Sequence, residues 1–259
     1  PPHRTASPFQ PPPLSPLSLN GLANASAITK SQILRRTLAE EIRLLMPARL
    51  QLVEDWNLAY SLERDGVSLH TLYQKCERFR GKRAGFVLVV RDGGGGVFGA
   101  YLTDPPHPSA HYYGTGECFL WRAHILSATP SLSSFPMSSL PPPPSADTTN
   151  MQRSTTAGVP KASGDLLAPP RTPTNGASGT STPERIRFKA FPYSGVNDYM
   201  IFCQAEFLSV GGGDGHYGLW LDDVFEKGIS SSCPTFGNEP LSDEGQRFEI
   251  LGVEVWSVG

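Results

Sequence analysis

The chemically capable side chains of this chain are led by four cysteines, Cys76, Cys118, Cys203 and Cys233. A thiol works as a nucleophile or peroxide scavenger only as the thiolate, which needs an accessible sulfur in surroundings that depress its pKa. No two of the four stand in C-x-x-C spacing, so neither a zinc site nor a dithiol couple is indicated. Cys118 lies near His111 and His124, the residue types of a thiol–imidazole pair. Nothing in the spacing brings them within hydrogen-bond reach, and a free Cys more often fills a core. Cys118 and Cys233 stand as the candidate reactive thiols. His107 and His111 have i, i+4 spacing, but Pro108 between them breaks the helix that would aim both at zinc. Glu117, beside an apolar strand, reads as a perturbed acid or a structural acceptor, the second being the commoner fate of such a carboxylate.

Two glycine-rich stretches raise a phosphate-binding reading. Residues 91–96 and 211–218 lack the Lys-Ser/Thr of a P-loop, and neither opens a helix. Gly114-Thr115-Gly116 lacks the third glycine of a dinucleotide fingerprint. Tight β-turns explain all three. No serine sits in a G-x-S-x-G elbow. The one dense basic cluster, Glu77 to Arg83, reads as a solvated connection. The expectation is a protein with no catalytic, cofactor-binding or metal-binding residues.

The elements that would position these groups are mostly strands. Alternation at 56–61, apolar runs at 85–90 and 97–102 around a glycine turn, and 119–121 predict a strand, a hairpin and a further strand. Leu34, Leu38, Ile42 and Leu45 recur at helical spacing, predicting a helix over 31–45 with Ser31 as N-cap and Pro47 as stop; Arg43 falls off the apolar stripe. Leu69, Leu72, Tyr73 and Cys76 predict a short helix. After residue 184 come predicted strands at 185–191 (Ile186, Phe188 and Ala190 inward), 199–203, 207–210, 217–221 and 248–256, the last bent at Gly252.

Composition divides the chain. It has 25 Pro and 26 Gly in 259 residues, and only 39% of residues are hydrophobic. Residues 1–29 read as a disordered Pro/Ser-rich tail. More than half of residues 127–184 are Ser, Thr, Pro or Gly, so this stretch reads as a disordered insertion, with Thr129-Pro130, Thr172-Pro173 and Thr182-Pro183 as phosphorylation candidates. Two independent domains of the remaining size would be marginal, and closing a long loop costs only logarithmically more with length. One domain built from 30–126 and 185–259 is therefore expected. Formal net charge is −2, which gives no field to recruit nucleic acid. No apolar run approaches the roughly 18–20 residues of a membrane span. Isolated cysteines point to a reducing compartment, hence not to secretion. The acid-poor start allows a mitochondrial leader, but its Pro run opposes the required helix.

The order of motifs resembles the TLDc domain family of oxidation resistance proteins. The likeness is carried by Asp55-Trp56-Asn57-Leu58-Ala59-Tyr60-Ser61, Asp65-Gly66-Val67-Ser68-Leu69, Val97-Phe98-Gly99-Ala100-Tyr101 and Tyr113-Gly114-Thr115-Gly116-Glu117-Cys118. It resumes with Val210-Gly211-Gly212-Gly213, Tyr217-Gly218-Leu219-Trp220-Leu221-Asp222, Cys233-Pro234-Thr235-Phe236-Gly237-Asn238 and Glu254-Val255-Trp256. The resemblance implies an α+β, mainly β fold: a sandwich of two antiparallel sheets edged by short helices. It also implies protection from oxidative damage by protein binding, including regulation of vacuolar proton-pumping ATPase assembly, in a monomer of the mitochondrion or of the cytoplasm and vacuolar surface. On that reading the contact residues are Gly114, Gly116, Glu117, Gly211, Gly212, Gly213, Trp220 and Asp222. The alternative is a peroxide-reactive thiol protein or weak enzyme using Cys118 or Cys233.

Overall fold

The computed structural model describes residues 14–21, 32–126 and 185–259. Among these, the predicted strands pair antiparallel: β3 (Gly85–Asp92), β4 (Val97–Leu102), β5 (Phe119–Leu126) and β6 (Arg185–Pro192) form the first half of the sheet path, and β2 (Asp55–Ser61) lies off it. The second half holds β7 (Ile201–Cys203), β8 (Phe207–Gly213), β9 (His216–Asp222) and β10 (Lys227–Ile229). The long last strand β11 (Arg247–Val258) joins the two. The path runs β6-β5-β4-β3-β11-β10-β9-β8-β7, with β2 on the other side of β11.

One strand thus serves two sheets. The start of β11 pairs with β10, Phe248 opposite Gly228. Its end pairs with β3 and β2, Val255 opposite Leu88 and Tyr60. The register shifts between Ile250 and Gly252, where the sequence predicts the bend. A Cβ at residue 252 would stand 2.7 Å from Ile33 Cδ1, so the strand turns against the N-terminal segment.

Two apolar layers result. Between the sheets, Phe86, Leu88, Phe98 and Ala100 meet Leu208, Val210, Leu219, Leu221 and Phe248. On the opposite face of the first sheet, Val87, Val89, Tyr101, Trp121 and Trp256 pack against Leu34, Leu38 and Ile42. The continuous apolar run of β3 is therefore covered on both faces. Ile186, Phe188 and Ala190 pack against the second layer, half-buried at the sheet edge.

The helix α1 spans Arg36–Leu45, shorter than the predicted 31–45. Ile33 and Leu34 donate their backbone N–H to the Glu254 carboxylate at 2.7 and 3.1 Å, which ties them outside the helix. Ser31 lies outside the described residues, and Leu45 is exposed rather than part of the buried stripe. Three further helices, α2 (Ala48–Gln51), α3 (Leu62–Asp65) and α4 (Leu69–Glu77), fill connections. In α4 the predicted Leu69, Leu72, Tyr73 and Cys76 are all buried, and Ser68 caps it by accepting from Thr71 N.

The N-terminal reading needs correction. Residues 1–13 lie outside the described residues, but β1 (Ser18–Asn20) pairs in parallel with β2. Leu17 is buried and its N–H reaches Glu40 at 2.8 Å. This segment also covers Arg43, which is buried and donates to the carbonyls of Ser15 and Gln51. Composition could not show this, because the ordering partners are long-range.

Candidate functional site

The turn carrying Gly114, Gly116, Glu117 and Cys118 lies between β4 and β5. Cys118 N–H bonds to Thr115 O at 3.0 Å, and Thr115 N–H to Thr103 Oγ1 at 3.0 Å. A Cβ at Gly116 would stand 2.7 Å from the Tyr193 ring, and one at Gly114 would stand 3.0 Å from Ile201 Cδ1. The turn is thus locked onto Tyr193, just after β6, and onto the start of β7. Glu117 is exposed. With Gly116, Cys118 and Leu45-Met46-Pro47 it lines a cleft of about 440 Å³.

Gly211, Gly212 and Gly213 are strand residues of β8, not part of the predicted turn, which narrows to Asp214-Gly215. Gly211 has φ +77, and a Cβ there would meet the Phe236 ring at 2.6 Å and Cys233 Sγ at 2.9 Å. A left-handed residue inside a strand re-aims the chain: Val210 faces the core, whereas a Cβ at Gly212 would face Tyr112 and Tyr199. Gly212 N–H donates to Thr235 Oγ1, whose hydroxyl donates in turn to Gly212 O or Asn197 Oδ1. Gly211 N–H donates to Met200 O, next to Ile201 under Gly114. The structure therefore gathers the Gly114–Cys118 turn, the Gly211–Gly213 strand and the Cys233–Asn238 loop around Met200 and Ile201. Trp220 and Asp222 sit apart, at the far end of β9 from Tyr217, opposite Ser209 and Phe207.

The thiols do not meet the requirements of peroxide chemistry. All four are buried and free of disulfides. Burial pushes Cys118 up despite hydrogen bonds from Thr103 and Thr115, and does the same to Cys233. Cys76 is pushed to about 12 and Cys203 to about 11, again chiefly by burial. Cys118 Sγ lies 3.6 Å from Thr103 Oγ1, while His124 faces Asp243 at 3.1 Å. Cys233 Sγ donates to Asn238 Oδ1 at 3.2 Å. A buried, elevated thiol is a poor nucleophile.

The glycine turn after β3 has its amides occupied by the protein's own acids. Gly94 N–H donates to Glu244, and Gly96 N–H to Asp92 at 2.6 Å. Asp92, fully buried, also accepts from Ser242 Oγ at 2.5 Å. An incoming phosphate would compete with two carboxylates. In the basic cluster, Arg78 and Lys82 lie over the Phe79 ring, and Arg80 pairs with Glu77.

Two features escape a reading by motif. Glu254 is buried, accepting from Ile33, Leu34 and Trp256 Nε1; a lone acid in the apolar run 250–256 is the available signal. The second is a line of rings on the outer face of β7–β9, formed by residues distant in sequence.

The TLDc domain family matches residues 27–141 and 180–259. The chain belongs to the TLDc domain family. Similar curated proteins are each called oxidation resistance protein 1. That of Gibberella zeae is 56% identical, covering 100% of this chain and 75% of its own length. The Neurospora crassa protein is 52% identical, covering 99% and 71%. The Saccharomyces cerevisiae protein is 41% identical, covering 95% and 79%. Among the described residues, no helix of the TLDc domain is long and apolar enough to cross a membrane.

Proposed function

We propose that this chain protects against oxidative damage by contact with other proteins and not by catalysis. Its relatives' shared name supports the role in oxidation resistance. The observation that carries the mode of action is the burial of all four thiols, with Cys118 and Cys233 raised in pKa. A direct scavenger using either would have to expose its sulfur first. The contacts include those that regulate assembly of the vacuolar proton-pumping ATPase, made by a monomer. The working compartment is the mitochondrion or the cytoplasm and vacuolar surface.

The test is expression of the chain in cells lacking their own oxidation resistance protein. It should restore growth under peroxide, and the protein with all four cysteines changed to serine or alanine should restore it to the same degree if it folds. Purified chain should bind an ATPase subcomplex and alter its assembly. Peroxide turnover that disappears with Cys118→Ser or Cys233→Ser would establish the thiol alternative instead.

A further inference from the structure

The outer face of β7, β8 and β9 carries an unbroken series of aromatic rings. Tyr199 stacks on Tyr112 with centroids 4.5 Å apart, and Tyr112 lies 4.8 Å from Phe202. Phe202 meets Phe207 at 5.6 Å, and Phe207 meets Trp220 at 6.1 Å and Tyr217 at 6.4 Å. None of the six rings is fully buried, and Tyr199 is 43% exposed. The other three tryptophans, Trp56, Trp121 and Trp256, are completely buried, so Trp220 is the exception.

Along β7, β8 and β9 the sequence charge has one sign; cations enter only at the β10 edge, where Lys227 and Arg247 share a pocket with Trp220. Between Lys189 and Lys227 the sequence holds no Lys or Arg, but it holds Asp198, Glu206, Asp214, Asp222, Asp223 and Glu226. Five of these are exposed and Asp222 is half-buried. Among the described residues none of the six enters a salt bridge, whereas the acids near β5, Glu239 and Asp243, are paired with Arg122, Lys189 and His124. Asp198 accepts from Tyr193 and Asp222 from backbone N–H groups, neutral partners that leave the charge uncompensated. Surface aromatics flanked by unpaired carboxylates suit guanidinium and ammonium groups, which lie over ring faces and pair with the acids. The same field repels phosphate, whether of a membrane or of nucleic acid.

We infer that this face docks an Arg/Lys-rich segment of a partner protein. The inference rests on the reading that the chain acts by contact, and it names the chemistry of one such contact.

The probe is a synthetic peptide of alternating Arg and Ser, with a Glu/Ser peptide as control, followed by Trp220 emission and calorimetry on the full chain. Two variants separate rings from charge: Tyr199→Ser with Phe202→Ser, and Asp198→Asn with Glu206→Gln and Asp214→Asn. A third, Glu41→Gln with Glu54→Gln and Glu63→Gln, makes the same change in net charge elsewhere. The Arg peptide should bind and the Glu peptide should not. Each face variant should weaken binding by about tenfold or more, and the remote variant by less than about twofold. The proposal is overturned by absence of Arg-peptide binding, or by equal loss in the remote variant. It is also overturned by loss in the charge variant alone, or by sedimentation showing a dimer that the ring variant dissolves, since a second copy would then be the occupant. Failure of the wild-type chain to engage any ATPase subcomplex sinks the functional reading. Peptide binding untouched by the face variants sinks only this surface.

Discussion

At the residue scale the decisive groups are buried ones. The four thiols should be silent to a thiol-specific dye in the native protein and all react after denaturation; a fast-reacting native thiol would revive the scavenger. Glu254 links three parts of the chain through its carboxylate. Burial raises its pKa, against the hydrogen bonds from Ile33, Trp256 and Leu34. The folded state therefore holds this proton more tightly than the unfolded chain does. Its contribution to stability is complete below the ordinary Glu range and declines as pH rises through the elevated value. Glu254→Gln should flatten that part of the urea-stability profile. It should also cost about 1–3 kcal/mol in mild acid, because the amide turns an N–H toward donors that need an acceptor. Asp65 has the opposite sign. Burial would raise it, but hydrogen bonds from Arg64, Ser61 N and Lys75 outweigh this and hold it low. Asp65→Asn should be destabilised at neutral pH and converge with the wild type only as acid protonates the native carboxylate.

At the element scale, strand geometry leaves little room at two glycines. A Cβ at Gly99 would lie 1.9 Å from Leu88 O, and at Gly211 the left-handed backbone adds to the crowding by Phe236 and Cys233. Gly99→Val and Gly211→Ala should each lower stability by more than about 2 kcal/mol, measured by thermal or urea melts. The strands were legible because period-two alternation records which face is buried, as in β2 and β6, and because a run such as Phe86 to Val90 records burial on both. The bend at Gly252 was legible from a glycine in an apolar strand. The early start given to α1 was not avoidable, since Leu34 keeps its apolar character whether helical or extended. What ties it outside the helix is a carboxylate 220 positions away. β1 and the burial of Arg43 were hidden for the same reason. Of the site, the glycine motifs were visible as turns, but the inclusion of Gly211–Gly213 in β8 was not, because glycine gives no alternation to read. The aromatic face was illegible, since Tyr112 and Trp220 meet only through the rings between them.

At the scale of the whole molecule, the two sides of the 127–184 stretch are bound strand to strand. β5 and β6 pair in register from Phe119 opposite Pro192 to Leu126 opposite Arg185. The stretch therefore leaves and re-enters at the place of a hairpin turn. Replacing 127–184 by Asn-Gly should keep a cooperative melt, whereas 30–126 or 185–259 expressed alone should not unfold cooperatively. Because β11 completes both sheets and follows every other strand among the described residues, its sharing has a consequence for biogenesis. Once made, β3 waits with an unfilled edge until β11 is made, as β10 does from residue 230 on, and such edges invite pairing with other nascent chains. Ribosome-stalled chains ending before Arg247 should accordingly remain protease-sensitive and bound by chaperones. Those carrying β11 clear of the exit tunnel should become resistant in a single step.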